Sequence, residues 1–134
     1  FVRGSNIAAD VTVGAYTEVV RSLIFAGSSI HQSYMADSIL DEKVKVGAGL
    51  TTANKRLDRE PIPVMVKDKL RDSGRTAFGI AAGRESNIGI SCNTMPGVLI
   101  GSGASVYPST TIHRNVAPQE IQKHSTLSTH STEE

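Results

Sequence analysis

Ala82-Gly83-Arg84-Glu85-Ser86-Asn87, Ile88-Gly89-Ile90-Ser91-Cys92-Asn93, Thr94-Met95-Pro96-Gly97-Val98-Leu99, Ile100-Gly101-Ser102-Gly103-Ala104-Ser105 and Val106-Tyr107-Pro108-Ser109-Thr110-Thr111 run into Ile112 in one six-residue frame. The first position of each block is mostly aliphatic, the second is often Gly, and the fifth is small or apolar. A six-residue period is too long for strand alternation and does not match a helical stripe. It fits a coil of short parallel strands in which each block forms one face of a prism. The first-position aliphatic residue fills the interior and the fifth-position residue packs beside it. Ile88, Ile100, Val106, Ile112, Cys92, Val98 and Ala104 are therefore expected to point inward. Gly at the second position suits a corner, where a residue without a Cβ takes an otherwise costly backbone conformation.

The frame recurs upstream with slips. Ile7-Ala8-Ala9-Asp10-Val11-Thr12 and Val13-Gly14-Ala15-Tyr16-Thr17-Glu18 lead into Val19. One residue is then lost before Ile24-Phe25-Ala26-Gly27-Ser28-Ser29, and another slip precedes Leu40 to Thr51. Three blocks make a triangular turn. The pattern predicts roughly four turns, above the three or so repeats that a stable stack needs. The fold class read from this is all-β, a left-handed parallel β-helix.

Composition agrees. The chain has 134 residues, enough for one domain, with no Trp, three Phe and three Tyr, so its core must be aliphatic. The formal net charge of +1 gives no footprint for nucleic acid. No apolar run approaches the ~20 residues needed to cross a bilayer, and no secretory signal is visible. The expectation is a cytoplasmic protein with neither nucleic acid nor membrane as partner. The one cysteine, Cys92, excludes an internal disulfide framework and reads as a small core residue. Met95, Leu99 and Ile90 add apolar residues to the outer faces beyond what the core needs, which predicts a trimer.

Residues 1–116 read as the β-helix domain. Phe1 to Asn6 enters the repeat with no capping element, so either something outside the chain covers the first turn or, as we expect, the chain is a fragment of a longer protein. Residues 52–77 are too long for a corner and carry many charges. Their middle, Ile62 to Leu70, alternates and turns through Asp68, so a protruding hairpin is expected. Residues 117–134 form a polar tail, with a short helix expected over Ala117 to His124 and disorder beyond.

The buried interior of such a prism leaves only corners, loops and inter-prism grooves for chemistry. His31 falls where the frame slips, so the core does not require it. It can serve as a general base near neutral pH, or as a corner histidine bonded to a neighbouring carbonyl. No histidine spacing matches a metal site, so no metal is expected. Gly101-Ser102-Gly103 lies in the repeat register with no helix after it, and reads as a corner rather than a phosphate loop.

His31-Gln32-Ser33-Tyr34-Met35-Ala36-Asp37 and Val46-Gly47-Ala48-Gly49-Leu50-Thr51-Thr52-Ala53-Asn54 resemble a paired motif, His-x-x-Tyr-x-Gly-Asp followed by Gly-Ala-Gly-Thr…Asn. Ser73-Gly74-Arg75, Met95-Pro96-Gly97-Val98, Tyr107-Pro108 and Arg114-Asn115-Val116 follow in the order of an archaeal branch. The chain thus resembles the carboxy-terminal hexapeptide-repeat domain of the bifunctional sugar-1-phosphate nucleotidyltransferase / glucosamine-1-phosphate N-acetyltransferase family. The resemblance covers about Val13 to Val116. It implies a homotrimeric transferase with an upstream nucleotidyltransferase domain missing from this chain, taking acetyl-CoA as cofactor and an amino-sugar phosphate as substrate. By the same resemblance His31 and Asn54 are catalytic, and Tyr34, Lys55 and Arg56 bind substrate. Ala48, Gly83 and Arg84 lie against the coenzyme. Two positions where that family carries cations here read Glu60 and Pro63. A non-catalytic β-helix that trimerises or regulates a sugar-nucleotide pyrophosphorylase is the other reading.

Overall fold

The computed structural model describes residues 1–126. Three parallel sheets form the faces of a prism. The first face stacks Val2–Arg3, Glu18–Val20, Tyr34–Ala36, Thr51–Thr52, Asn93–Thr94 and Thr111–Ile112. The second stacks Asn6–Ile7, Leu23–Ile24, Ile39–Leu40, Ile80–Ala82 and Val98–Ile100, and Val116 bridges Ile100 to extend it. The third stacks Thr12–Val13, Ser29–Ile30, Lys45–Val46, Asn87–Ile88, Ser105–Val106 and Ile121–Gln122. The chain is a parallel β-helix, as the repeat predicts.

The inward positions share one core. Val19, Met35, Ile24, Leu40, Ile30 and Val46 fill the early turns, and all seven residues expected to point inward lie in the same cluster. None of those seven is more than 3% exposed. Each aliphatic side chain removed from water contributes about 1.5–3 kcal/mol. Ile90 is exposed, whereas Leu99 and Met95 are half-buried, with Met95 packed against the core.

Six turns are complete, and Thr126 N–H bonded to Thr111 O at 2.9 Å begins another. This exceeds the expected four. The reason lies in the corners. Val2 pairs with Val19, Glu18 with Tyr34 and Ile80 with Val98. The turn that starts at Glu18 is thus shorter than the one that starts at Val2, and the turn that starts at Ile80 is longer than both. A residue deleted at a corner leaves the inward positions in register, so the frame slips are shortened corners rather than breaks. Serine hydroxyls complete the shortened corners. Ser22 N–H donates to Ser5 Oγ, Ser38 N–H to Ser22 Oγ and Ile80 N–H to Ser38 Oγ, at 2.9, 3.1 and 3.0 Å.

The second-position glycines serve a different purpose from the one expected. The corner residues with left-handed backbone include Glu85, Ser91 and Ser109. Gly89 does not have a positive φ. A Cβ there would come within 2.7 Å of Pro108 N and 2.9 Å of Val106 O in the next turn. Clearance between stacked turns, not backbone conformation, requires glycine at that position.

The long insertion behaves as expected in part. Ile39 pairs with Ala81, so the insertion makes this turn more than twice as long as its neighbours. Within the insertion Pro63–Val66 and Lys69–Asp72 form an antiparallel hairpin, turning through Lys67 and Asp68, both with positive φ. The hairpin folds back onto the prism instead of projecting freely. Ile62 and Val64 are buried, and Asn115 pins the strand by donating to Met65 O at 2.8 Å while accepting from Leu99 N–H at 2.9 Å. The helix expected over 117–124 is absent. Ala117 to Glu120 make a turn closed by Glu120 N–H to Ala117 O, and Ile121–Gln122 is a strand paired with Ser105–Val106. Once residue 121 can stack on an existing rung, its backbone groups are satisfied there, and local helical preference is overridden. The disorder expected from Ser125 does not hold for its first two residues: Ser125 Oγ accepts Thr111 N–H at 2.9 Å, and Thr126 is buried with its N–H on Thr111 O at 2.9 Å. The rest of that expectation falls on residues 127–134, outside the described residues.

Asn115 joins the hairpin to the second face through these two side-chain hydrogen bonds. Asn115→Ala is expected to cost about 1–3 kcal/mol, because Leu99 N–H and Met65 C=O lose their partner. Faster amide hydrogen exchange should be confined to residues 63–72. Uniformly faster exchange, or none, would show that the hairpin is held by other contacts.

Candidate active site

The corner that joins the third face to the first builds up from close backbone stacking. Gly14 N–H bonds Ile30 O, His31 N–H bonds Val46 O, Ser91 N–H bonds Ala48 O and Ser109 N–H bonds Ile90 O, at 2.8 to 3.1 Å. Ala48, Ile90 and their neighbours therefore lie above one another along one edge. Beside this edge runs a groove of about 520 Å³ lined by Tyr16, Glu18, Gln32, Tyr34, Ala48 and Ile90, among others. Tyr34 is half-buried on the first face, in register with Glu18 on one side and Thr51 on the other.

His31 immediately precedes Gln32 on this edge. Its imidazole is exposed and takes no hydrogen bond or ion pair among the described residues. The carbonyl-bonded corner histidine is therefore not what forms. Its own carbonyl accepts the Ser33 hydroxyl at 2.5 Å, which fixes the backbone and leaves the ring free.

Asn54 lies on the opposite corner, where the first face passes to the second. There the register Val20 to Ala36 places Arg21 and Asp37 one above the other, both in left-handed backbone. Arg21 grips Asp37 with two bonds, Nε to Oδ1 at 2.8 Å and Nη2 to Oδ2 at 3.0 Å. Asn54 Nδ2 donates to Asp37 Oδ2 at 2.8 Å. The Asp37 side chain is 1% exposed. Burial pushes its carboxyl up, but hydrogen bonds from Arg21 and Asn54, with the charges of Arg21 and Arg75, outweigh that and hold it below the usual range. Arg21, Arg75, Leu23, Ile39 and Phe78 surround a cavity of about 300 Å³ beside this network.

The remaining expected residues separate. Lys55 is exposed at the start of the insertion. Arg56 bonds Asp58 at 2.7 and 3.0 Å and lines a different cavity, of about 270 Å³, beneath the hairpin. Gly83 and Arg84 follow the second face, on the third corner, where Arg84 lies 3.8 Å from Glu42 and 3.7 Å from Glu85. Within one chain the structure thus joins His31, Tyr34 and Ala48 along one edge, and leaves Asn54, Arg56 and Arg84 away from it. Sequence reasoning did not single out Arg21, Asp37 or Ile90 as site residues. Asp37 stood in the motif, but its contact with Arg21 becomes visible only once the shortened turn is counted.

On the His31 edge Gly49 is exposed with a φ of 93°, and Ile90 presents an exposed apolar side chain. Among the described residues no cluster of three or more His, Cys, Asp or Glu is placed to hold a metal ion. No helix is long and apolar enough to cross a membrane among them.

Asp37 gives a pH test. A carboxylate depressed in the folded state stabilises above its unfolded value near 3.9, and that contribution is lost as pH falls through the folded value. Melting temperature should therefore drop from about pH 4 downward, and the drop should be shallower in Asp37→Asn. Parallel curves for the two proteins would remove Asp37 as a source of acid lability.

Known proteins share these features. No protein-family model matches the chain. The chain is 41% identical over 112 residues to a bifunctional sugar-1-phosphate nucleotidylyltransferase/acetyltransferase of Sulfurisphaera tokodaii, covering 83% of this chain and 28% of that one. It is 37% identical over 105 residues to the bifunctional protein GlmU of Methanocaldococcus jannaschii, covering 78% and 26%. The chain thus spans about a quarter of the length of these relatives. An acetyltransferase of Escherichia coli, YaiX, is 30% identical over 114 residues, covering 84% of this chain and 50% of its own length. Among solved structures, PerB of Caulobacter crescentus, in complex with CoA and GDP-perosamine, shares the fold with a TM-score of 0.55 at 16% identity, over 90% of this chain and 53% of PerB. Repeat, paired motif and relatives converge: the chain belongs to the sugar-1-phosphate nucleotidyltransferase/acetyltransferase family and corresponds to its carboxy-terminal part.

Proposed function

We propose that this β-helix transfers an acetyl group from acetyl-CoA to the nitrogen of an amino-sugar 1-phosphate, acting in the cytoplasm as a homotrimer. The observation that carries the reading is the exposed, unengaged imidazole of His31 beside the groove of Tyr34, Ala48 and Ile90. The relatives with acetyltransferase in their names, and PerB with CoA bound, support it.

Acetyl-CoA supplies a thioester carbonyl that an amine can attack. An amine attacks only when its lone pair is free, and the nitrogen must shed a proton as the new C–N bond forms. His31 accepts that proton on its imidazole, acting as the general base. The thioester C–S bond would break as the C–N bond is completed, with the CoA sulfur leaving as a thiolate that takes the proton back, so no covalent bond to the protein is needed. Tyr34 offers a hydroxyl and a ring face to the sugar, and the Ala48 corner packs against the thioester end of the coenzyme. Asn54, with Lys55 and Arg56 in the loop behind it, lies away from this edge within one chain and serves the sugar and its phosphate from a neighbouring subunit of the trimer. Gly83 and Arg84 border the coenzyme from another corner.

Association is supported by the unequal faces. The outward row of the second face is Asn6, Leu23, Ile39, Ala81 and Leu99, with Leu23 and Ile39 37% and 41% exposed. The corresponding rows are Glu18, Tyr34, Thr51, Asn93 and Thr111 on the first face and Thr12, Ser29, Lys45, Asn87, Ser105 and Ile121 on the third. The second face carries the most apolar row and gains most by leaving water.

His31→Ala should lower turnover of glucosamine-1-phosphate or galactosamine-1-phosphate by about 10²–10⁴-fold, with coenzyme affinity unchanged by calorimetry. Wild-type protein that acetylates neither sugar and binds no coenzyme would overturn the catalytic reading and leave a trimerising scaffold. For assembly, Leu23→Glu with Ile39→Glu should convert a trimer in light scattering to a monomer. A trimer that survives the pair would exclude the second face as its interface.

A further inference from the structure

The hydrogen bonds around Asn54 determine which way its amide faces. Asn54 leaves the first face just after Thr51–Thr52 and opens the insertion, and its backbone carbonyl takes Phe78 N–H at 2.8 Å. Its side-chain nitrogen lies 2.8 Å from Asp37 Oδ2. An ionised carboxylate only accepts hydrogen bonds, so the nitrogen edge of the amide has to face Asp37. The carbonyl edge, Oδ1, turns away, and no donor among the described residues takes it.

Asp37 is itself held on every side. Both carboxylate oxygens take Arg21, Asp37 N–H donates to Val20 O at 2.9 Å, and Asp37 O accepts Gly79 N–H at 2.9 Å. Gly79 is the last residue of the insertion before Ile80–Ala82. Asp37 therefore ties both ends of the insertion to one corner, through Asn54 at its start and Gly79 at its end. The side chain of Asp37 is too deeply buried to meet a substrate directly.

We infer that Asp37 is a positioning residue, locked by Arg21, that fixes the Asn54 amide with its carbonyl edge outward, so that this position selects a sugar by a hydrogen-bond donor, a hydroxyl or an ammonium. The inference rests on the acetyltransferase reading above and assigns Asn54 the role of acceptor. A deoxy or O-alkylated sugar at the contacted position loses that bond, and an amide free to flip loses the selectivity.

The test is made on the full chain with acetyl-CoA and glucosamine-1-phosphate. Asp37→Asn puts an amide opposite Asn54, so either orientation of Asn54 is accommodated. KM for the sugar should rise about 10-fold, the scale of one hydrogen bond to a buried polar partner, with kcat and coenzyme affinity little changed. Arg21→Lys keeps the carboxylate but loosens it, and should give an intermediate rise even if Asp37→Asn folds poorly. A purely structural role predicts a lower melting temperature with KM unmoved, and that outcome overturns the inference. Nitrogen-15 correlation spectra give an independent readout. The Asn54 side-chain amide, identified by its loss in Asn54→Gln, should show one proton shifted and protected from exchange in the wild type, and lose both features in Asp37→Asn. An Asn54 amide that resembles a solvent-exposed one in the wild type overturns the orientation. A wild type without turnover defeats the acetyltransferase reading, and the spectra then still decide whether Asp37 orients Asn54.

Discussion

The fold depends on backbone hydrogen bonds between successive turns. Most of its strands contain two or three residues, too few to be stable alone. Each persists because an equivalent strand lies above and below it, about 4.8 Å away, at the same place in the coil. Stacking requires that every inward side chain meet the same position one turn on, which explains a core of Ile, Val, Leu and Ala with one methionine, Met35, and one small cysteine. It also explains where variation is allowed. A face cannot lose a residue without turning its aliphatic position outward, whereas a corner can. Turns of three different lengths coexist in one prism for that reason.

The same constraint builds the polar corner. Stacking puts like positions over like, so a basic residue at one corner meets whatever the next turn places there. Arg21 beneath Asp37 is such a pair, and it brings a carboxylate into a place where an isolated charge would be costly. Two arginine bonds and one amide bond compensate it. The insertion starts and ends at this corner. Phe78 N–H on Asn54 O and Gly79 N–H on Asp37 O close its neck, and Asn115 fastens its hairpin a turn and more away. An insertion closed at the neck leaves the stack above and below undisturbed, as shown by the Thr51–Asn93 pairing across it.

Much of this was legible in the sequence where the frame is clean. From Ala82 to Ile112 the inward residues could be read one by one, because the period there is an unbroken six. Upstream the period alone misleads, since a missing corner residue looks like a broken repeat. The turn count fell short for that reason. The hairpin was legible from alternation around Lys67-Asp68, but not its return to the prism, which depends on Asn115, far downstream in the chain. The strand at Ile121–Gln122 has no local signature and exists because Ser105–Val106 offers it an open edge. In the candidate site, the edge of His31, Tyr34 and Ala48 followed from the motif. The attachment of Asn54 to Asp37 did not, because motif spacing counts residues along the chain and says nothing about which corner each one reaches.

The distribution of hydrogen bonds separates the polar residues of this chain into two kinds. Asp37 is bound at both oxygens, at its backbone N–H and at its carbonyl, while the imidazole of His31 is bound to nothing among the described residues. A partner on the imidazole would stabilise one of its protonation states over the other. A group that only orients others works better the more firmly it is held. Burial follows the same division: the supporting carboxylate is sealed by the corner and His31 is exposed. That division is what the proposed function asks of the two residues, chemistry at His31 and geometry at Asp37.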